Sequence, residues 1–197
     1  HTDNDGIMAI NPWFFRTAEI WREKVMESIG FFAYGITAEK TNKGVECIVK
    51  GKILPKGKYY GFDATIKYTI YPDGLIAVSV EAMPYGNMPE KLPRFGLHFT
   101  CDKAYSNVTW YGRGHRENYS DCQTASPVGL YSKNVKDTYT IFDMPQESGN
   151  HEDNSFVQLV SDKGEGLCIV GCDKFCFSYR DVTDAALEKA LHKNEVE

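Results

Sequence analysis

The run Ile66-Lys67-Tyr68-Thr69-Ile70-Tyr71-Pro72-Asp73-Gly74-Leu75-Ile76-Ala77-Val78-Ser79-Val80 decides the fold class. Ile66, Tyr68 and Ile70 alternate with other residues, as do Ile76, Val78 and Val80, and a period of two places each set on one face of a strand. Between the two sets, Pro72 presets φ for a turn and Gly74 tolerates a positive φ, so the flanking runs pair as an antiparallel hairpin. The same alternation recurs on either side. Phe95, Leu97, Phe99 and Cys101 predict a strand over 95–101. Further strands are expected near 31–40, 45–54, 107–112, 128–132, 155–161, 167–171 and 174–179, separated by clusters of Gly, Asn, Asp and Pro. The sum is a mainly β chain, expected to form a large antiparallel β-sandwich.

Two short helices complete the reading. Thr17 is placed to cap a segment with Glu19 in its first turn and Ile20, Trp21 and Val25 toward one side. Thr183 is placed to cap Asp184 to Lys193, where Leu187, Ala190 and Leu191 form an apolar stripe. No repeat, low-complexity tract or Pro/Ser-rich linker divides the 197 residues, so a single domain is expected over 1–197.

Composition excludes several functions. With 22 Lys+Arg against 27 Asp+Glu the net charge is −5, and no basic cluster supplies the footprint that a phosphate backbone requires, so nucleic acid is not an expected partner. Apolar runs such as Leu75 to Val80 fall far short of the roughly 18 residues of a membrane helix. Cys47, Cys101, Cys122, Cys168, Cys172 and Cys176 include no CxxC pair, which disfavours a structural zinc site. Cys168, Cys172 and Cys176 recur every four residues, but strand residues four apart lie roughly 13 Å apart. Buried free thiols are expected. His1 to Gly6 carries neither the basic nor the apolar region of a secretory signal, and the compartment stays open. Asn107-Val108-Thr109 and Asn118-Tyr119-Ser120 are glycosylation triplets that matter only in a glycosylating compartment.

Residue chemistry narrows the site candidates. Asp3-Asn4-Asp5-Gly6 superficially matches a calcium loop, but with Gly6 at the sixth place the opening ligand would be His1 and the closing carboxylate Pro12, so a polar Asx turn is the simpler reading. Trp110-Tyr111-Gly112-Arg113-Gly114-His115-Arg116-Glu117-Asn118-Tyr119-Ser120-Asp121 places two glycines beside aromatic, guanidinium, carboxylate and amide groups, a mixture suited to a polyhydroxylated ligand. Trp110, Tyr111, Arg113, Arg116, Glu117 and Asn118 are therefore candidate sugar or interface contacts. The alternative is an Arg–Glu network locking a loop onto the sheet. Glycoside hydrolysis needs two carboxylates at a fixed separation, and nothing in the spacing of Asp3, Asp5, Glu117, Asp121, Glu147 and Asp153 pairs two of them, so no catalytic residue is expected. His98 is expected on a strand, on the face opposite Leu97 and Phe99. His115 and His151 are expected in loops without metal-ligand spacing, and no metal site is expected.

Several segments, in order, resemble the C-terminal domain of family 2 β-galactosidases, the part called the small chain. They are Thr2 to Gly6 followed by an aromatic helix at Trp13 to Ser28; Leu92-Pro93-Arg94-Phe95-Gly96-Leu97; Trp110 to Gly114 with Glu117 to Asp121; and Met144-Pro145-Gln146-Glu147-Ser148-Gly149. The resemblance implies a supersandwich similar to galactose mutarotases, appended to a catalytic barrel whose two glutamates carry the retaining chemistry. It also implies that the loop after the Asp-Asn-Asp motif borders the substrate pocket, making Asp3, Asn4, Asp5 and Gly6 the substrate-proximal residues. The implied partners are a galactoside, reached through the parent active site, and the barrel of the same polypeptide, with the parent a homo-oligomer. No cofactor is implied here; magnesium or sodium would serve the parent through other domains. A family aromatic at the galactose site comes from a Gly-rich segment beyond the terminal helix, so 1–197 is expected to be cut from a longer chain.

The sequence departs from the family at Gly114-His115 in place of Gly-Pro, at Asp121-Cys122 in place of Asp-Arg, and at Asn150-His151 and Asn154-Ser155-Phe156 in place of arginine-bearing runs. An altered substrate preference is the implied consequence. Two other function classes stay open: a mutarotase-like epimerase, which shares the sandwich architecture and would use His98, His115 or Glu117 as acid or base, and a free carbohydrate-binding module using Trp110 and Tyr111.

Overall fold

The hairpin around Pro72 and Gly74 forms, in a computed structural model that describes residues 17–196. Gly74 takes φ 91°, its N–H donates to the Tyr71 carbonyl at 3.1 Å, and the Tyr71 N–H donates to the Leu75 carbonyl at 2.9 Å. The register follows the alternation, with Ile66 opposite Val80, Tyr68 opposite Val78 and Ile70 opposite Ile76. The turn thereby fixes which side chains share a face.

This hairpin is half of an antiparallel sheet in the order β1-β2-β3-β4, made of β1 (Ile29–Thr41), β2 (Gly44–Pro55), β3 (Gly61–Ile70) and β4 (Ile76–Tyr85). A bulge between Ala33 and Gly35 shifts the β1–β2 register. Helix α1 (Thr17–Glu23) and a 3-10 turn at Met26–Ser28 precede β1. Trp21 of α1 is buried, and its indole N–H donates to the Lys91 carbonyl at 2.8 Å. This unit ends at Phe95.

The second unit begins at Gly96. Its antiparallel sheet runs β6-β5-β7-β8, with β5 (Asn107–Arg113), β6 (Val128–Asn134), β7 (His151–Val160) and β8 (Gly166–Phe177). Val108, Trp110, Val157 and Leu159 point to one face and, with Val135, make the core. Helix α2 (Asp184–Lys189) is capped by Thr183, whose Oγ1 accepts from the Ala186 N–H at 3.1 Å, and it buries Leu187. The domain expected over 1–197 thus holds two compact units. Over the described residues the fold is mainly β and antiparallel, as the alternation indicated, with two short α-helices.

Several boundaries differ from expectation. No strand forms over 95–101, where Phe95, Leu97 and Phe99 stay about half exposed; alternation encourages extended backbone but does not supply a strand to pair with. The strands expected at 167–171 and 174–179 are one strand, β8. Strand β7 starts at His151 instead of 155, because register shifts between His151 and Phe156, with Asp153 at φ 56°, interrupt the period of two. Helix α2 stops at Lys189 with Ala190 extended, which leaves Leu191 exposed. The thiols are free but not buried. Cys122, Cys168, Cys172 and Cys176 are exposed and Cys47 and Cys101 half-buried, and the last three in sequence lie on β8, which is an edge strand among the described residues. Burial still pushes the Cys101 and Cys176 thiols up.

Candidate functional site

Strand β5 carries the Trp-Tyr-Gly-Arg-Gly run, and its alternation divides the candidates between two faces. Trp110 points into the core with no exposed surface. Its ring lies 4.5 Å from His151, 5.6 Å from Tyr131 and 5.8 Å from Phe177, and its indole N–H donates to the Arg113 carbonyl at 2.9 Å. A ring so enclosed has no face to offer a sugar, so Trp110 leaves the set of candidate sugar contacts. Tyr111, on the opposite face, is 42% exposed, with the Lys174 ammonium 5.7 Å from its ring centre.

Gly112 is required by close approach. A Cβ there would lie 2.0 Å from Asn154 Oδ1 and 2.8 Å from Asn154 Cα. Asn154 is buried at the β7 irregularity, donating through Nδ2 to the His151 carbonyl at 2.6 Å and to the Phe175 carbonyl at 2.8 Å. It therefore bridges strand β7 to β8 where the ladder is broken. Arg113 is half-buried beside it. Its Nε donates to Asp153 Oδ2 at 2.5 Å and its Nη1 to the carbonyls of Ser126 at 3.2 Å and Gln123 at 3.4 Å. The planar fork thus ties the bulge to the loop leading into β6.

Beyond Gly114, the turn carrying Glu117, Asn118 and Tyr119 folds onto the loop ending at Gly149 and Asn150. Asn118 has no exposed surface and is fully partnered. Its N–H donates to the Asn150 carbonyl at 2.7 Å, its Nδ2 to the Arg116 carbonyl at 3.0 Å, and its Oδ1 accepts from the Glu152 N–H at 2.9 Å. Glu117 Oε2 accepts from the Gly149 N–H at 2.5 Å. Gly149 itself sits at φ 82°, a conformation an L side chain rarely adopts. The Tyr119 hydroxyl donates to Glu147 Oε2 at 2.8 Å. Burial first, and then the Glu147 carboxylate, push that hydroxyl far above its usual range, so it remains a donor. Arg180, nearly buried, donates to the Ser148 carbonyl at 3.2 Å, lies 3.9 Å from Glu147 Oε1 and pairs with Asp184 in the first turn of α2.

Two segments 30 residues apart in sequence are thus clasped by groups that accept and donate to each other. Glu117 and Glu147 converge on Tyr119, but each spends an oxygen on an internal donor, an arrangement that holds loops and does not flank an open glycosidic bond. Arg113, Glu117 and Asn118 are therefore brought together as a loop-locking network, while Arg116 and His115 are exposed at its rim. The arginine's main partner is Asp153, not the glutamate the sequence suggested. Among the described residues no three His, Cys, Asp or Glu side chains converge as metal ligands. Asp3, Asn4, Asp5 and Gly6 lie outside the described residues.

His151 was expected in a loop and instead opens β7 with no exposed surface. Its ring stacks on Phe177 at 5.1 Å and 22°, and Trp110, 4.5 Å from His151 and 5.8 Å from Phe177, completes a triangle of rings. The backbones of Thr138 and Arg113 lie near it, yet neither ring nitrogen completes a hydrogen bond of ordinary geometry. Burial outweighs those neighbours and pulls the imidazole down to about 4. Its core position could be read only by extending the Val157 and Leu159 alternation backward, and the bulge breaks that extension.

The clasp joins two of the segments on which the family resemblance rested, and comparison with known proteins agrees with it. The model of the β-galactosidase small chain matches residues 1–197. The chain belongs to the β-galactosidase small chain family. A β-galactosidase of Actinobacillus pleuropneumoniae is 29% identical over 198 residues, covering 100% of this chain and 18% of that protein. One of Kluyveromyces lactis is 28% identical over 99% of this chain and 18% of its own length. One of Priestia megaterium is 38% identical over 54% of this chain and 10% of its own. This small chain segment therefore spans less than a fifth of the relatives it matches.

Proposed function

We propose that this small chain segment is a noncatalytic accessory part of a β-galactosidase, contributing packing area and the rim of the substrate pocket while other parts of the polypeptide cleave the bond. The observation that carries the reading is the family match along all 197 residues, combined with relatives more than five times longer. The clasp is its chemical support, since Tyr119 donates to Glu147 while Glu117 and Asn118 accept from the backbone N–H groups of Gly149 and Glu152, so Glu117 and Glu147 hold loops and do not stand as an acid and nucleophile pair. Asp3, Asn4, Asp5 and Gly6 form the substrate-proximal loop in this reading, and the retaining glutamates belong to a barrel outside 1–197.

The test is hydrolysis of an aryl β-D-galactoside by the isolated 197-residue chain and by the full-length polypeptide. The expected result is turnover by the full-length protein alone. Within it, Asp3→Ala and Asp5→Ala raise KM and leave folding intact. Sustained turnover by the isolated chain refutes the proposal.

A further inference from the structure

The sheet β1-β2-β3-β4 has two chemically different faces. On one, Glu46 pairs with Lys67 at 3.1 Å and Asp63 with Lys52 at 2.6 Å, a surface suited to water. The other is crossed by three consecutive apolar rows, each running through all four strands in register. They are Ile36–Val49–Ile66–Val80, Ala38–Cys47–Tyr68–Val78, and Lys40–Val45–Ile70–Ile76, the last starting on a lysine at the corner. The far end of this face is closed by described residues of the same unit, where Phe95 packs on Phe62 at 5.3 Å and Ala64 is buried. Across the three rows Ile36, Val45, Ile70, Ile76 and Val78 keep 41–68% of their surface exposed.

With strands about 4.8 Å apart and rows about 7 Å apart, the bare area is about 400 Å². That equals the largest apolar patch of a typical monomer, about 300–600 Å². A second copy docked there would bury about 800 Å² in total, short of the 1,200–2,000 Å² or so of a stable dimer. A contact within one polypeptide needs less, because the covalent link removes most of the cost of association, and inter-domain interfaces begin at about 600 Å². More than four-fifths of the relatives' length lies outside the region this chain matches.

We infer that the Ile36–Val80, Ala38–Val78 and Val45–Ile76 rows are the docking face for polypeptide of the same β-galactosidase chain lying outside residues 1–197. The inference rests on the parent-enzyme reading above. The occupant presents an apolar surface of matching size, and the Lys40 corner marks where the contact gives way to solvent.

Hydroxyl-radical footprinting of the full-length polypeptide and of the isolated chain tests it, with side-chain oxidation read by mass spectrometry at Ile36, Tyr68 and Ile76 and sedimentation measured in parallel. Oxidation at these residues is expected to fall about ten-fold in the full-length protein, as burial of an apolar patch requires, while Met83 on the opposite face changes little. Equal oxidation in both preparations overturns the inference. Protection already present in the isolated monomer overturns it too, since the chain would then cover its own face, and protection that accompanies a doubled mass assigns the face to a second copy. A variant pair adds a second readout in the full-length protein: Val78→Lys lowers Tm and Ser79→Lys, one residue along on the polar face, does not. Galactosidase turnover by the same preparation separates the two readings. An active enzyme with a reactive face refutes the docking inference alone, and an inactive full-length polypeptide removes the parent-enzyme reading on which it rests.

Discussion

His151→Phe tests the claim that a neutral imidazole is built into the second core. The unfolded chain titrates this group near the ordinary histidine value of about 6.5, whereas burial holds the folded one at about 4. A depressed histidine pKa means the unfolded chain takes up its proton first as pH falls. The contribution is therefore intact above about 6.5, is lost progressively between there and about 4, and is lost in full below. The two values give a total loss of about 3 kcal/mol, of which about 2 kcal/mol falls between pH 7 and pH 5. Phenylalanine keeps a ring against both Trp110 and Phe177 and removes the titration, along with two ring nitrogens that lack hydrogen-bond partners. The assay is urea unfolding of both proteins at pH 7 and pH 5, followed by Trp110 fluorescence with Trp13 and Trp21 replaced by Phe. A larger ring shifts absolute stability at both pH values alike, so the readout is the change in the difference between them. The variant should gain about 2 kcal/mol relative to the parent on acidification. A difference constant within about 0.5 kcal/mol would refute the buried neutral imidazole.

Gly112→Ala forces a Cβ to within 2.0 Å of Asn154 Oδ1 and should cost about 2–3 kcal/mol in urea unfolding. Gly96→Ala meets nothing within 4 Å and should stay within about 0.5 kcal/mol. Tyr119→Phe removes the hydroxyl donated to Glu147 and should destabilise the second unit by about 1.5–3 kcal/mol, the range for a hydrogen bond to a charged group. A double-mutant cycle with Glu147→Gln should return a coupling of about 1 kcal/mol, and strict additivity would mean the clasp is not a unit.

Legibility in the sequence followed the range of the interaction. The Ile66–Val80 hairpin was readable because Pro72 and Gly74 encode its turn locally, and register then follows from alternation. The 95–101 segment has the same alternation, but pairing depends on a neighbour far along the chain, and none forms. His151 and Asn154 escaped because a bulge changes which residues face inward without marking the composition. The clasp was half legible. Glycine, arginine and carboxylates in one run suggested a locked loop, but Glu147, Ser148 and Arg180 approach it only through the fold, and the arginine's partner proved to be Asp153. Trp110 and Tyr111, adjacent and chemically alike as candidates, separate into core and surface by the strand's pleat alone.

Asn118 carries one further consequence, for how the protein is made. It heads an Asn-Tyr-Ser acceptor triplet, yet its amide is sealed between Arg116 and Glu152 with no accessible surface. An oligosaccharide attached to that nitrogen while the nascent chain is still extended could not be accommodated once the turn closes. Expression through the secretory route of a eukaryotic host would therefore set the sugar-transfer machinery in competition with chain closure, and each modified molecule would be unable to complete its second sheet.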